Sequence, residues 1–361
     1  MTHTNYYSTI TGSGKYLPAR KIPNSFFLNS EFYGRDGSKM LKANEAIINT
    51  LYKITEIEER KYVEDEFVTS DMAYFAAKKA IQSSKVDAEQ LDYIIVAHNF
   101  GDILKDNQRV DTVPTLAARV KHKLGIRNPY TVAYDLPFGC PGWLQAVIQA
   151  DYYIRSGDAK KILVIGAETL SRISDPHDID SMIFSDGAGA IILEARESEK
   201  PLGILAHITR SDTFEHAHLL KMDVSYNKSY NENTLFLKMN GRKLYEYAIS
   251  TVPQTLKCGI EKSGLTITDI KKVFIHQANG KMDLNILTRL FELYGIKDIP
   301  HHIMPMSISK LGNNSVATLP ILFDMVSKGE MEGHGLDSKD YLLFASVGAG
   351  MNINVLIYQI P

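Results

Sequence analysis

Three residues of this chain, Cys140, His276 and Asn313, are of types that can share one reaction. A thiolate forms a thioester with an incoming acyl group, while a neutral imidazole and a carboxamide offer two N–H donors to an oxyanion or enolate. That set suits carbon–carbon bond formation. It also suits a cysteine hydrolase, in which the histidine acts as general base in a site open to water. The local sequence leaves both readings open.

Cys140 stands in Tyr134-Asp135-Leu136-Pro137-Phe138-Gly139-Cys140-Pro141-Gly142-Trp143, between an apolar strand-like run and an amphipathic helix. Unpaired N–H groups and the positive end of the macrodipole at a helix start favour thiolate over thiol. The plainer alternative is a small buried hydrophobe, as free cysteines often are. His276 ends a strand-like run and competes with the reading of a satisfied core histidine. Asn313 opens a helix, where asparagine is also a good N-cap.

The elements that must carry these residues occur twice. A helical pattern over 70–81 leads through a polar turn to Leu91-Asp92-Tyr93-Ile94-Ile95-Val96-Ala97-His98-Asn99. From Leu244 the same plan repeats, with a turn at Gly264-Leu265-Thr266 and then Ile270-Lys271-Lys272-Val273-Phe274-Ile275-His276-Gln277-Ala278-Asn279. The helix from Gly142 to about Ser156 leads to the strand 161–167. Its counterpart, Val316 to about Ser327, leads to the strand 341–347. Cys140 and Asn313 are therefore positional twins. Short continuous apolar runs alternating with helical patterns indicate parallel strands buried on both faces. The expectation is an α/β chain of two βαβ-rich halves, 1–195 and 200–361, packed as an internal pseudo-dimer. Ligands gather at the carboxyl ends of such strands, which is where all three residues fall.

Length and composition are compatible with that plan. The 361 residues are 44% hydrophobic and 23% charged, and 40 basic against 42 acidic side chains leave a net charge of -2. This argues against nucleic acid or an anionic membrane as the main partner. Two cysteines make no disulfide framework, the start lacks a basic and then apolar leader, and no apolar run reaches membrane length. A soluble, cytoplasmic protein is expected. Segments 26–49, 101–112 and 211–234 read as long loops of the kind that shape pockets.

Two glycine-rich runs and the second cysteine need separate readings. Phe184-Ser185-Asp186-Gly187-Ala188-Gly189-Ala190 lacks the lysine of a phosphate-binding loop and precedes a strand, so a tight turn with close backbone packing is expected. Val347-Gly348-Ala349-Gly350-Met351 is either a hairpin turn or a loop that brings a backbone N–H to a reacting carbonyl. Cys258, inside a helical pattern, reads as inert packing.

Seven runs in order then resemble the thiolase-fold condensing enzymes, most closely β-ketoacyl-acyl carrier protein synthase III. They are 10–18, Ile57-Glu58-Glu59-Arg60, the Cys140 turn, Ser174-Asp175-Pro176, 184–190, His276-Gln277-Ala278-Asn279 with Gly312-Asn313-Asn314-Ser315, and Gly348-Ala349-Gly350. The resemblance spans nearly the whole chain and implies a thiolase-like fold in five layers. It implies that Cys140 accepts the acyl group and that His276 and Asn313 hold the thioester carbonyl of a malonyl-type extender as it loses carbon dioxide. The N–H groups of Cys140 and Ala349 would form the oxyanion hole, with Phe184 and Gly348 in the pocket. Val113 matches a position that reaches across a homodimer into the partner's pocket. Lys281 matches a position that meets the acidic carrier protein, with Arg242 and Lys243 extending the patch.

No metal or cofactor is implied, since the substrates are phosphopantetheine thioesters. Thr50, Ile54 and Ile179 stand where typical members place the Trp and two Arg that clasp the adenine of coenzyme A. This departure favours carrier-protein delivery over coenzyme A, and it suggests a relative in secondary lipid metabolism, such as the ketosynthases that join two β-ketoacyl-type thioesters toward cyclohexanedione and dialkylresorcinol products. A thioester hydrolase using the same residues is the rival activity. A catalytically silent partner of an active ketosynthase would have lost the nucleophile, which this chain retains.

Overall fold

The structure is a computed structural model that describes residues 5–230 and 233–361. Residues 1–4, part of the expected leaderless start, and residues 231–232 of the 211–234 segment lie outside the described residues. The apolar runs form two sheets. The first has five strands in the order Asn5–Tyr16, Asp186–Ser198, Lys161–Thr169, Tyr93–Ala97, Val132–Leu136. The second has four, in the order Gly203–Ser211, Asn352–Gln359, Tyr341–Gly348, Ile270–Ile275.

Five layers follow from which faces are apolar. The helices Gly142–Ser156 and Thr318–Ser327 lie between the sheets, where Trp143, Leu322 and Phe323 share one core with Val164 of the first sheet and Phe274 and Phe344 of the second. The helices Thr69–Ser84 and Leu116–Leu124 cover the outer face of the first sheet through Met72, Ala76 and Val120. Gly241–Lys262 and Gly280–Glu292 cover the second through Leu256, Ile260 and Ile286. The central strands are therefore buried on both faces, which is why they read as continuous apolar runs.

Parallel pairing is confined to one end of each sheet. Tyr93–Ala97 runs parallel to both neighbours, and Ile270–Ile275 runs parallel to Tyr341–Gly348. The remaining strands pair antiparallel. The run 184–190 is not the expected tight turn, because Asp186 begins a strand that continues to Ser198. Its glycines serve close packing instead: a Cβ on Gly189 would stand 2.6 Å from the Ile321 backbone nitrogen, so the glycine lets the Thr318–Ser327 helix lie on the strand. Cys258 is exposed, not packed, because it lies on the outward side of the Gly241–Lys262 helix.

The expected loops carry structure of their own. Segment 101–112 forms a hairpin of Asp102–Leu104 and Asn107–Asp111, and 211–234 contributes the strand Leu220–Asp223, which pairs with Phe236–Met239. Lys238 fixes this second hairpin from below. Its buried ammonium meets Asp175 and, at 3.0 Å, Asp178, while the Tyr226 ring covers it at 3.4 Å. Among the described residues, no helix is long and apolar enough to cross a membrane.

Candidate active site

The carboxyl ends of the parallel strands and the starts of the helices between the sheets open on one cavity of about 220 Å³. Its lining brings together Cys140, His276 and Asn313, and adds Phe184, Gly348 and Ala349. Each residue is delivered by a different element. Cys140 lies in the connection from Val132–Leu136 to Gly142–Ser156, with Pro141 as the helix cap. His276 follows Ile270–Ile275, and its backbone N–H donates to Ala345 at 2.8 Å. Asn313 is not an N-cap: it bridges to Phe184, and its side-chain oxygen accepts from the Ser315 N–H at 2.8 Å.

Glycines bring the Ala349 turn against the cysteine. Gly139 has φ +64°, and a Cβ there would stand 2.8 Å from the Ala349 nitrogen. A Cβ on Gly348 would stand 2.6 Å from the Cys140 nitrogen. The segment 347–351 is thus both the connection between two antiparallel strands and a loop pressed on the nucleophile turn.

Electrostatics separates the roles. Burial pushes the Cys140 thiol up to about 11, against the lowering effect of a hydrogen bond from Ser315. Desolvation therefore works against the thiolate that the helix start favours. Burial alone pushes His276 down to about 4, so its imidazole is neutral at physiological pH. A neutral ring keeps one N–H to donate and is a weak base for water. The cavity walls are otherwise mostly apolar, with Leu220, Met222, Leu237 and Met239 of the second hairpin forming one side.

A second cavity, of about 400 Å³, shares Met239, Leu244, Ala278, Met282 and Asn313 with the first. It continues past Ile54, Asp180 and Arg242, and Ile54 is half-exposed. Ile54 lines this passage, Thr50 is exposed and bonded to the Ala46 carbonyl, and Ile179 packs on a neighbouring apolar cluster.

The other residues singled out in the sequence lie outside the first cavity. Val113 is 84% exposed. Arg242 is exposed beside the passage and paired with Glu246 at 2.9 Å. Lys281 is exposed in the first turn of Gly280–Glu292, next to the lining residue Met282, and Lys243 faces a separate surface groove. Among the described residues there is no group of three or more His, Cys, Asp or Glu arranged to hold a metal ion.

Asn99, Glu168 and Ser315 escaped the sequence reading. Ser315 and Asn99 line the cavity, and Glu168 bonds Asn99 behind them. The one available signal was a carboxylate, Glu168, that ends an otherwise wholly apolar buried run.

Comparison with known proteins gives the family. The chain matches the profile of 3-oxoacyl-[acyl-carrier-protein (ACP)] synthase III over residues 134–213, and that of the synthase III C-terminal domain over 260–360. It is 32% identical to the β-ketoacyl-[acyl-carrier-protein] synthase III of Ehrlichia canis (strain Jake), over 98% of this chain and 99% of that one. The chain belongs to the β-ketoacyl-[acyl-carrier-protein] synthase III family. As a synthase III it is a ketosynthase of the acyltransferase class, with the thiolase-like fold described above. The synthase III relative from Ruegeria pomeroyi (strain ATCC 700808 / DSM 15171 / DSS-3) is 31% identical over 95% of this chain and 96% of its own. The crystal structure of the Aquifex aeolicus VF5 synthase III superposes with a TM-score of 0.77 at 28% identity, covering 98% of this chain and 99% of that one. The priming β-ketosynthase of the R1128 polyketide pathway, at 23% identity and TM-score 0.81 over 100% of this chain and 98% of that one, shares the fold.

Proposed function

We propose that this synthase III condenses an acyl group held on Cys140 with a malonyl-type thioester. In the first half-reaction the Cys140 sulfur attacks the donor thioester carbonyl, and the thiol proton leaves with the departing phosphopantetheine thiol. In the second, the extender loses carbon dioxide, and its enolate attacks the acyl carbon and expels the Cys140 thiolate. His276 and Asn313 donate to the enolate oxygen, and the Cys140 and Ala349 N–H groups donate to the tetrahedral oxyanion.

The observation that carries this reading is a neutral, deeply buried His276 beside Cys140 and Asn313 in an apolar cavity. A hydrolase needs a base near neutral pH, and the buried His276 is a weak one. The cavity volume, about 220 Å³, is somewhat larger than the roughly 150 Å³ cavity that binds benzene.

A carrier protein is the proposed donor. Thr50, Ile54 and Ile179 offer no aromatic face or guanidinium to a purine, while Arg242 lines the passage and Lys281 and Lys243 are further exposed basic residues. A homodimer is proposed from Leu104, Val110 and Val113, exposed apolar side chains on and beside one hairpin. A cytoplasmic setting fits the free thiol of Cys140.

Product analysis tests the activity. An acyl-carrier protein supplied with a malonyl thioester is expected to give a β-ketoacyl product. Free acid without a new carbon–carbon bond would favour hydrolysis, and condensation only when the second substrate is a β-ketoacyl thioester would favour the dialkylresorcinol-type reaction. Loading of Cys140 by coenzyme A thioesters as fast as by carrier-bound ones would overturn the donor assignment.

A further inference from the structure

Resting on the assignment of Cys140 as nucleophile, we propose that Ser315 is a positioning residue that holds two of the reacting side chains at once, Cys140 through its hydroxyl and Asn313 through its backbone. The Ser315 hydroxyl donates to Cys140 Sγ at 3.5 Å, and the Ser315 N–H donates to Asn313 Oδ1 at 2.8 Å. With its oxygen so engaged, the Asn313 amide nitrogen is the group left for substrate.

The direction of the Ser315 hydroxyl is set from behind. Asn99 Nδ2 donates to Glu168 Oε2 at 2.7 Å and to Ser315 Oγ at 3.3 Å, while the Asn99 backbone N–H reaches Glu168 Oε1 at 3.4 Å. Because the Ser315 oxygen accepts from Asn99, its single hydrogen is directed to the sulfur. Asn99 is itself held by its neighbour: His98 Nδ1 accepts from the Gly101 N–H at 3.0 Å and Nε2 meets Asp135 at 2.9 Å. The chain of bonds therefore runs from a buried carboxylate, through an amide and a hydroxyl, to the nucleophile.

Two further observations set Ser315 apart from an ordinary helix-start serine. It is 5% exposed and adopts φ +50°, a left-handed conformation that a side chain other than glycine takes only where the surroundings impose it. Glu168 is fully buried on the Lys161–Thr169 strand and, among the described residues, has no cationic partner in hydrogen-bond contact. The charged or titratable groups that act on it are His98 and Asp186, and burial pushes its carboxyl up to about 7. Ser315 and Glu168 act on the sulfur with opposite signs: the hydroxyl stabilises the thiolate by a hydrogen bond, and the carboxylate charge disfavours it.

The test is the pH dependence of Cys140 alkylation by iodoacetamide, on the full chain in a Cys258→Ser background, with intact mass as readout. Ser315→Ala and Ser315→Gly are expected to raise the midpoint by about one unit and slow alkylation at neutral pH about tenfold. Ser315→Gly suits the left-handed backbone and keeps the bond to Asn313, so it separates loss of the hydroxyl from loss of the fold. Glu168→Gln, which still accepts from Asn99 but carries no charge, is expected to lower the midpoint. Midpoints unchanged within about 0.3 unit in both Ser315 variants, or raised in Glu168→Gln, would overturn the proposal. Failure of the underlying assignment is a different result, namely no acyl adduct on Cys140 in the unsubstituted chain.

Discussion

Gly348→Ala offers a sharp perturbation of the proposed oxyanion hole, because the backbone itself permits it. Gly348 has φ -167°, extended backbone that any residue adopts, so the substitution carries no conformational penalty. The added methyl would instead stand 2.6 Å from the Cys140 nitrogen, 2.7 Å from Pro141 Cδ and 2.9 Å from Cys140 Cβ. To restore ordinary contact at 3.4 Å the two loops must part by 0.5 to 0.8 Å. None of these atoms is the end of a flexible side chain, so the displacement falls on the backbone that presents the Cys140 and Ala349 N–H groups. A shift approaching 1 Å at a donor costs on the order of 100-fold in turnover, about 3 kcal/mol of transition-state stabilisation. The assay is kcat for β-ketoacyl product, with thermal melting as the check on folding. Gly335→Ala, where a methyl meets nothing within 4 Å, serves as the control and is expected to leave both unchanged. A Gly348→Ala enzyme with kcat within about threefold of the parent would refute the placement of the hole.

Other outcomes follow from the same geometry. His276 has a folded pKa of about 4, below its ordinary 6.5, so the unfolded chain takes the proton first. Stability is therefore lost as pH falls through that window, by about 3 kcal/mol, and urea unfolding at several pH values should show that loss sharply reduced in His276→Asn. Leu220→Ala or Met222→Ala in the hairpin wall each vacate about three heavy atoms of space, and a chain-length series of acyl donors should shift its optimum upward by about that many carbons. Gly189→Ala forces a methyl to 2.6 Å from the Ile321 nitrogen. Its denaturant midpoint should fall by the equivalent of about 1–3 kcal/mol, while the acyl-chain preference stays as it was.

The sequence made the site legible through repetition. Because the helix and strand that follow Cys140 repeat after Asn313, the two could be matched as equivalents before their shared cavity was visible, and that cavity also takes in His276. The apolar runs located the central strands for the same reason: burial on both faces removes alternation. The strand was expected from Ile191, but its start at Asp186 was hidden because the glycines and alanines of 187–190 signal a turn in isolation. The opposing effect on Cys140 was not legible, because a helix start is local and readable, whereas desolvation depends on everything packed around the sulfur. Asn99, Glu168 and Ser315 were missed because each is unremarkable alone, and their relation spans 216 residues of chain.

Intact-protein mass spectrometry of the enzyme mixed with an acyl-carrier protein, followed by peptide mapping, tests the central claim most directly. A single acyl adduct is expected on the peptide containing Cys140, discharged on adding a malonyl thioester and absent in Cys140→Ala. An adduct of equal yield in Cys140→Ala, or β-ketoacyl product formed at the full rate by that variant, would contradict it.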